Sequence, residues 1–325
     1  MEPRESSRIV KSLAAWAGFE RCGIGCPGPV RRREYIRAWL QSGWAGSMKY
    51  LHRNLDQRAD SRSLLDDAKS IIALALVYGQ PEPPFDGASG ERGRVAKYAW
   101  GADYHGIIKE RLHELAAAIE ERVGKPFRYR ACVDTAPLLE REVAETCGIG
   151  WIGKNTLVLN AELGSYFVLG FLITTLDLAP DEPVPGRCGT CTACLDACPT
   201  GALVGPHEMD ASRCISYLTI EHRGSIPEEL TPLMGDWVFG CDVCQAVCPY
   251  NRRTPITNEP RFGLRPPGPR PLLDDILSWT VEDHRERTRN SALERATLDM
   301  LQRNARIARQ NIRRNELPRS PGTQT

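Results

Sequence analysis

The sequence predicts an α+β fold: a head with a mixed sheet, a cysteine-rich lobe and a short helical appendage. Three observations carry that reading. Apolar runs of strand length alternate with helical patterns up to about residue 180. Eight of the twelve cysteines then gather between 188 and 248. Beyond a proline-rich breaker the chain ends in a helical, basic segment.

Residues 1–70 read as helical, with SSRIVKSLAAWAGF starting at a serine cap and REYIRAWLQSGWAGSMKYL following. SIIALALVY at 70–78 is a continuous apolar run, the pattern of a strand buried on both faces. GQPEPPFDGASGERG is a loop, RVAKYAW is strand-like, and a helix is expected from about Asp103 to Val123. FRYRACVDT at 127–135 reads as a strand with Asp134 at its end, and PLLEREVAETCGIG as a helix stopped by glycine. TLVLN and SYFVLGFLITTL supply two more strands, expected as a hairpin around Glu162-Leu163-Gly164. Asp181 to Gly186 reads as a linker and Pro266 to Pro271 as a second breaker. The expected division is a head over 1–180, a cysteine lobe over 181–255, a helical appendage over 256–315 and a disordered tail over 316–325.

Forty-two Lys and Arg balance forty-one Asp and Glu, so net charge alone selects no polyanionic partner. From Arg252 onward, however, fifteen Arg face nine acidic residues, 15 − 9 = +6. The N-terminus lacks a secretory layout and no run of about eighteen apolar residues occurs, which predicts a cytoplasmic chain with no membrane partner. Twelve cysteines in a reducing compartment point to metal ligation rather than disulfides. No GxGxxG follows a strand and no phosphate loop is present, so a nucleotide site has no visible motif. The six histidines form no HxxxH or HxH pair, and His105 and His113 read as surface residues.

Cys188-x-x-Cys191-x-x-Cys194-x-x-x-Cys198-Pro199 is the bacterial ferredoxin run, whose fourth cysteine ligates the other cluster of a pair. Its partner, Cys241-x-x-Cys244-x-x-x-Cys248-Pro249, is one cysteine short, and Cys214 is the natural supplement. By the crossing rule one [4Fe-4S] cluster takes Cys188, Cys191, Cys194 and Cys248, and the other takes Cys198, Cys214, Cys241 and Cys244. A pair of zinc sites is the competing reading, since CxxC also suits tetrahedral zinc. Two adjacent cubanes would form a wire for single electrons. Cys22, Cys26, Cys132 and Cys147 read as buried free thiols.

Asp134 in CVDTAPLLER ends a strand and precedes a helix. Such a position lines ligand clefts, where partial burial would raise its pKa enough to deliver a proton. It equally suits a helix cap, by Asp134 or Thr135. Taken together, RCGTCTACLDACPTGAL, RCISYLTIEHRGSIPEEL, GDWVFGCDVCQAVCPYN, VDTAPLLEREVAETCGIGWIGKNTLVLN and KYAWGADYHGIIKERL resemble the epoxyqueuosine reductase family, cobalamin-dependent iron–sulfur enzymes of queuosine biosynthesis. The resemblance covers roughly residues 5–255, with a weaker match at RNARIARQN.

It implies a cobalamin-binding head, a ferredoxin-like lobe with two [4Fe-4S] clusters, and a tRNA substrate carrying epoxyqueuosine at the wobble position. An unidentified low-potential electron donor would supply the electrons, and the protein would act as a monomer. The resemblance makes Asp134 the proton donor and also a cobalamin neighbour, and offers Arg58, Lys154, Val158 and Ser216 as further cobalamin contacts. His222 and Arg223 would face the anticodon, and the arginine-rich end would contact phosphates. Longer family members carry HEAT-type repeats, of which this chain has room for one helical pair. Two other readings share parts of this chemistry: a two-cluster electron carrier, and a corrinoid reductive dehalogenase.

Overall fold

The computed structural model describes residues 2–84 and 89–316, the last two as backbone only. In chain order the strands are β1 (Arg21–Gly25), β2 (Ser70–Val77), β3 (Arg94–Val95), β4 (Tyr129–Cys132), β5 (Trp151–Ile152), β6 (Val158–Leu159), β7 (Phe167–Thr174), β8 (Leu203–Gly205), β9 (Glu208–Met209) and β10 (Trp237–Phe239). The helices are α1 (Pro3–Trp16), α2 (Arg33–Gln41), α3 (Leu55–Arg58), α4 (Tyr104–Val123), α5 (Glu140–Thr146), α6 (Ala193–Asp196), α7 (Ile215–Ile220), α8 (Val243–Ala246), α9 (Leu273–Ser278), α10 (Val281–Thr288) and α11 (Leu298–Glu316).

Four strands form the central sheet in the order β1-β2-β7-β4, each neighbouring pair antiparallel. Every residue of β2 is buried because helices cover both faces. Ile72, Leu74 and Leu76 pack with Val10 of α1 and Ile108 and Leu112 of α4. Their alternates Ile71, Ala73, Ala75 and Val77 pack with Val143 and Ala144 of α5 and with Phe171 and Ile173. Each fully buried Ile or Leu here stabilises the sheet by about 1.5–3 kcal/mol. The unbroken apolar run is thus the imprint of a central strand.

Three local expectations need correction. Within the segment read as all helical, Arg21–Gly25 forms an edge strand against β2. Its glycines are required by close approach: a Cβ on Gly23 would lie 2.0 Å from the Cys147 carbonyl oxygen. Helix α1 starts at Pro3 behind Glu2, with no side-chain cap, because proline suits the first turn where its missing N–H is no loss. The anticipated hairpin is reduced to one antiparallel bridge, Asn160 to Gly164, across the Glu162-Leu163-Gly164 turn, where the Asn160 side chain also accepts the Glu162 and Leu163 amides. Beyond it β6 pairs with β5 while β7 crosses to β2 and β4.

The only parallel ladder described joins β10 to β3, so a short strand leaving the head is continued by the cysteine lobe. Helices α9 and α11 close over this junction. Leu273, Ile276, Met300, Leu301 and Ala305 share one core with Val95, Trp100, Val238 and Phe239. Asn304 of α11, fully buried, donates to the carbonyls of Thr219 (3.0 Å) and Val238 (2.9 Å). Among the described residues no helix is long and apolar enough to cross a membrane. Most of the tail expected to be disordered, from Leu317 onward, lies outside the described residues.

Candidate functional site

The two cysteine runs come together as two sets. Cys188, Cys191, Cys194 and Cys248 line one cavity of about 250 Å³ with Lys154, Asn155 and Tyr250. Cys198, Cys214, Cys241 and Cys244 form the other neighbourhood. There, burial first and then the charges of the neighbouring sulfurs push the thiols of Cys214, Cys241 and Cys244 up, Cys244 to about 12.

Short helices follow the cysteines and turn amides toward sulfur. Ser216 and Tyr217 donate N–H to Cys214, Val243 to Cys241, Leu195 to Cys194, and Tyr250 and Asn251 to Cys248. Such N–H contacts suit cluster-bound thiolates. Among the described residues no three His, Cys, Asp or Glu side chains converge on one ion-sized point. Tetrahedral zinc would require its sulfurs at about 2.3 Å from one centre. The ferredoxin spacing of the cysteines and these N–H contacts suit multi-iron clusters. The sets adjoin, for Cys194 lies within electrostatic reach of Cys244.

Asp134 follows β4 in the left-handed region, at φ 49°, a conformation uncommon for a side-chain-bearing residue and characteristic of functional turns. Its backbone N–H donates to Glu140 Oε1 at 2.5 Å, and its Oδ2 lies 3.1 Å from His105 Nε2. His105 Nδ1 lies 2.6 Å from Oδ1 of Asp103, the N-cap of α4. His105, read from sequence as a surface residue, is thus clamped between two carboxylates. Burial disfavours its charge, but those two hydrogen bonds outweigh burial and raise it to about 9. The hydrogen bond from His105 in turn holds Asp134 below the usual carboxylate range, with burial opposing. The expected upward shift at Asp134 is therefore reversed. Glu140 moves instead, pushed up to about 8 by burial and by the Asp134 charge.

Neither Asp134 nor Thr135 caps α5, whose N-cap is Leu139 without a side-chain bond; the Thr135 hydroxyl turns back to the Val133 carbonyl. The Asp134 side chain is 59% exposed, so its carboxylate is accessible while held by His105. Tyr98 and Tyr104 are within electrostatic reach of it. So are Tyr50 and Arg295, the guanidinium of Arg295 lying 5.7 Å from the Tyr50 ring and paired with Glu221. Arg141 donates to the Thr156 carbonyl at 3.0 Å and feels Asp134 and Glu140 on one side, Cys214 and Cys244 on the other. It stands between Asp134 and the second thiol set.

The remaining candidates are dispersed. Arg58 ends α3 and keeps a buried Nε with no hydrogen-bond partner among the described residues. Val158 is in the core, and Ser216 offers its amide to Cys214. The Lys154 ammonium is drawn to the first cavity instead, donating to the carbonyls of Gly189 (2.7 Å) and Cys191 (2.9 Å). His222 Nε2 contacts the Ser225 carbonyl, and Arg223 contacts Met300 Sδ and the Arg295 carbonyl. That loop therefore adjoins the Arg295 lip. Three of the C-terminal arginines brace the fold: Arg303 holds the carbonyls of Leu218, His222 and Gly224, and Arg309 and Arg313 pair with Glu91. Cys26 is exposed, unlike the buried thiol expected.

The residues around Asp134 suit a cofactor held without a protein histidine: tyrosine rings lie within electrostatic reach, and both nitrogens of His105 are already engaged.

Comparison with known proteins agrees with this geometry. A family model described as a 4Fe-4S double cluster binding domain matches residues 187–251, and one described as epoxyqueuosine reductase QueG, DUF1730, matches residues 58–135. The chain is 41% identical over 313 residues to the epoxyqueuosine reductase of Pseudomonas aeruginosa, covering 94% of this chain and 86% of that protein. For the Escherichia coli K12 enzyme the identity is 39%, covering 90% and 79%. The crystal structure of an epoxyqueuosine reductase with an epoxyqueuosine-modified tRNA-Tyr stem loop superposes with a TM-score of 0.88 at 32% identity, over 94% of this chain and 81% of that one. The Bacillus subtilis enzyme, with its catalytic aspartate loop swung out of the active site, gives 0.86 at 31% identity, over 94% and 82%. With relatives this similar along nearly its whole length, the chain belongs to the epoxyqueuosine reductase family.

Proposed function

We propose that this chain reduces epoxyqueuosine at the wobble position of tRNA to queuosine, with Asp134 protonating the departing epoxide oxygen. The observation that carries the proposal is the His105–Asp134 pair, next to which Arg141 stands between Asp134 and the second thiol set. The reaction adds two electrons and two protons, breaks both epoxide C–O bonds, forms a C=C bond and releases water. When bound, cobalamin supplies a strongly reducing cobalt centre, fed with single electrons by the two [4Fe-4S] clusters.

The protein's own part is to hold these groups and to move protons. Cys188, Cys191, Cys194 and Cys248 hold one cluster, and Cys198, Cys214, Cys241 and Cys244 the other. At neutral pH the proton rests on His105, and Asp134 is ionised. A proton moves from His105 Nε2 to Asp134 Oδ2 as the carboxyl protonates the oxygen, because an unprotonated alkoxide leaves poorly. Glu140, mostly neutral at pH 7, anchors the Asp134 amide without adding a second full charge.

Arg58, Val158 and the Ser216 segment contact cobalamin, while Lys154 ties down the first cysteine loop. The lip formed by Tyr50 and Arg295, with His222 and Arg223 beside it, receives the anticodon loop. The head, cluster lobe and helical appendage act together as a monomer in the cytoplasm, and a separate low-potential one-electron donor supplies the clusters. Mass analysis of tRNA nucleosides from cells lacking this chain tests the function. Accumulated epoxyqueuosine, cleared by the wild-type gene but not by Asp134→Asn, is the expected outcome; normal queuosine in the deletion would overturn it.

A further inference from the structure

Among the side chains lining the cavity of Cys188, Cys191, Cys194 and Cys248, Asn155 holds a buried polar atom with no partner among the described residues. Asn155 is 3% exposed, and its Nδ2 is buried without a hydrogen-bond acceptor. Its orientation is set by the rest of its loop. Asn155 Oδ1 accepts from the Leu157 N–H at 3.3 Å, the Thr156 N–H donates to the Gly153 carbonyl at 2.9 Å, and the Gly153 N–H donates to the Leu157 carbonyl at 2.8 Å. The adjoining Lys154 ammonium clamps the loop to the carbonyls of Gly189 and Cys191. The amide thus stands on a braced turn in the wall of the cavity that the cysteines line.

A buried N–H left without an acceptor is costly, so the unpartnered amide of a residue in the cavity wall points to an acceptor brought by what fills the cavity. Filled with a cluster, this cavity presents sulfur, a weak acceptor that grows stronger as negative charge accumulates on reduction. We propose that Asn155 Nδ2 donates a hydrogen bond to a sulfur of the cluster held by Cys188, Cys191, Cys194 and Cys248 and thereby raises that cluster's reduction potential. The inference rests on the cluster assignment made above. It makes the potentials of the two clusters separately adjustable, since Asn155 lines the cavity of the first set.

The test is a redox titration of the anaerobically purified holoenzyme, followed by electron paramagnetic resonance, for the wild type and for Asn155→Leu, with iron counted in both. The expected result is a lowered midpoint for one cluster, an unchanged midpoint for the other, and the same iron content. Unchanged midpoints for both clusters at full iron content would overturn the inference. Should Asn155→Leu lose a cluster, the wild-type protein decides: asparagine labelled with 15N at the side-chain amide should give a nitrogen coupling on one reduced cluster, and its absence overturns the proposal. Wild-type protein with iron for fewer than two clusters would instead overturn the assignment beneath it.

Discussion

His105 Nε2 lies 3.1 Å from Asp134 Oδ2, and its other ring nitrogen lies 2.6 Å from Asp103 Oδ1. The imidazole thereby stores the proton that a depressed carboxyl cannot hold at neutral pH. Replacing Asp134 with Asn should lower turnover of epoxyqueuosine tRNA by roughly 10²–10⁴-fold, the usual worth of a positioned proton donor. Absorption spectra should show cobalamin and both clusters retained, and undiminished turnover would remove Asp134 from the chemistry.

His105 also sets a pH dependence. Its folded pKa, about 9, is raised from 6.5, so its contribution to stability is fully present below about 6.5 and is lost as pH rises through 9. Turnover should follow the same limb and fall as the pH passes about 9. In His105→Gln the rate should be lower throughout and this alkaline limb should vanish from the kcat profile.

Glu140 predicts a slope in folding stability. A carboxyl raised from 4.5 to about 8 binds its proton more tightly folded than unfolded, so stability from this group is greatest below about 4.5 and declines as pH climbs toward 8. Glu140→Gln keeps an acceptor for the Asp134 amide and removes the slope. Urea denaturation at pH 5 and pH 8.5 should show a smaller difference for the variant than for the wild type.

Crossed ligation makes opposite predictions for the two Cys-Pro cysteines. Cys248→Ser should perturb the cluster of the Cys188 run, and Cys198→Ser the cluster of the Cys241 run. Because the sets differ in surroundings, paramagnetic resonance of the reduced variants should lose or alter a different signal in each case. Loss of the same signal from both would contradict crossing.

Asn304→Leu should destabilise the protein by about 1–3 kcal/mol by leaving the Thr219 and Val238 carbonyls without a buried donor. Thermal unfolding followed by circular dichroism measures it, and an unchanged midpoint would show that α11 is dispensable to the core.

The cysteine sets were legible because their spacing answers to one chemistry, and Ser70–Val77 because eight apolar residues in a row have few other uses. Arg21–Gly25 was not, since strand propensity disfavours the glycines that contact with Cys147 demands. His105 was hidden for a different reason. Its partner stands 29 residues away, and the contact exists only because Asp134 takes a left-handed turn that no local pattern announces. The signal that could have found it is short: Asp103 caps α4, which fixes a histidine two residues later at the head of the helix. Composition alone could not say which arginines of the C-terminal segment brace carbonyls and carboxylates, as Arg303 and Arg313 do, and which stay exposed.

The parallel pairing of Trp237–Phe239 with Arg94–Val95 joins two parts of the molecule by backbone alone. Three residues beyond that pair, the Asp242 side chain accepts the Lys97 amide at 2.7 Å, and eight residues from Lys97 stands His105. Cysteine lobe and histidine thus hang from one stitched seam, so a substitution that loosens Trp237–Phe239 disturbs both at once.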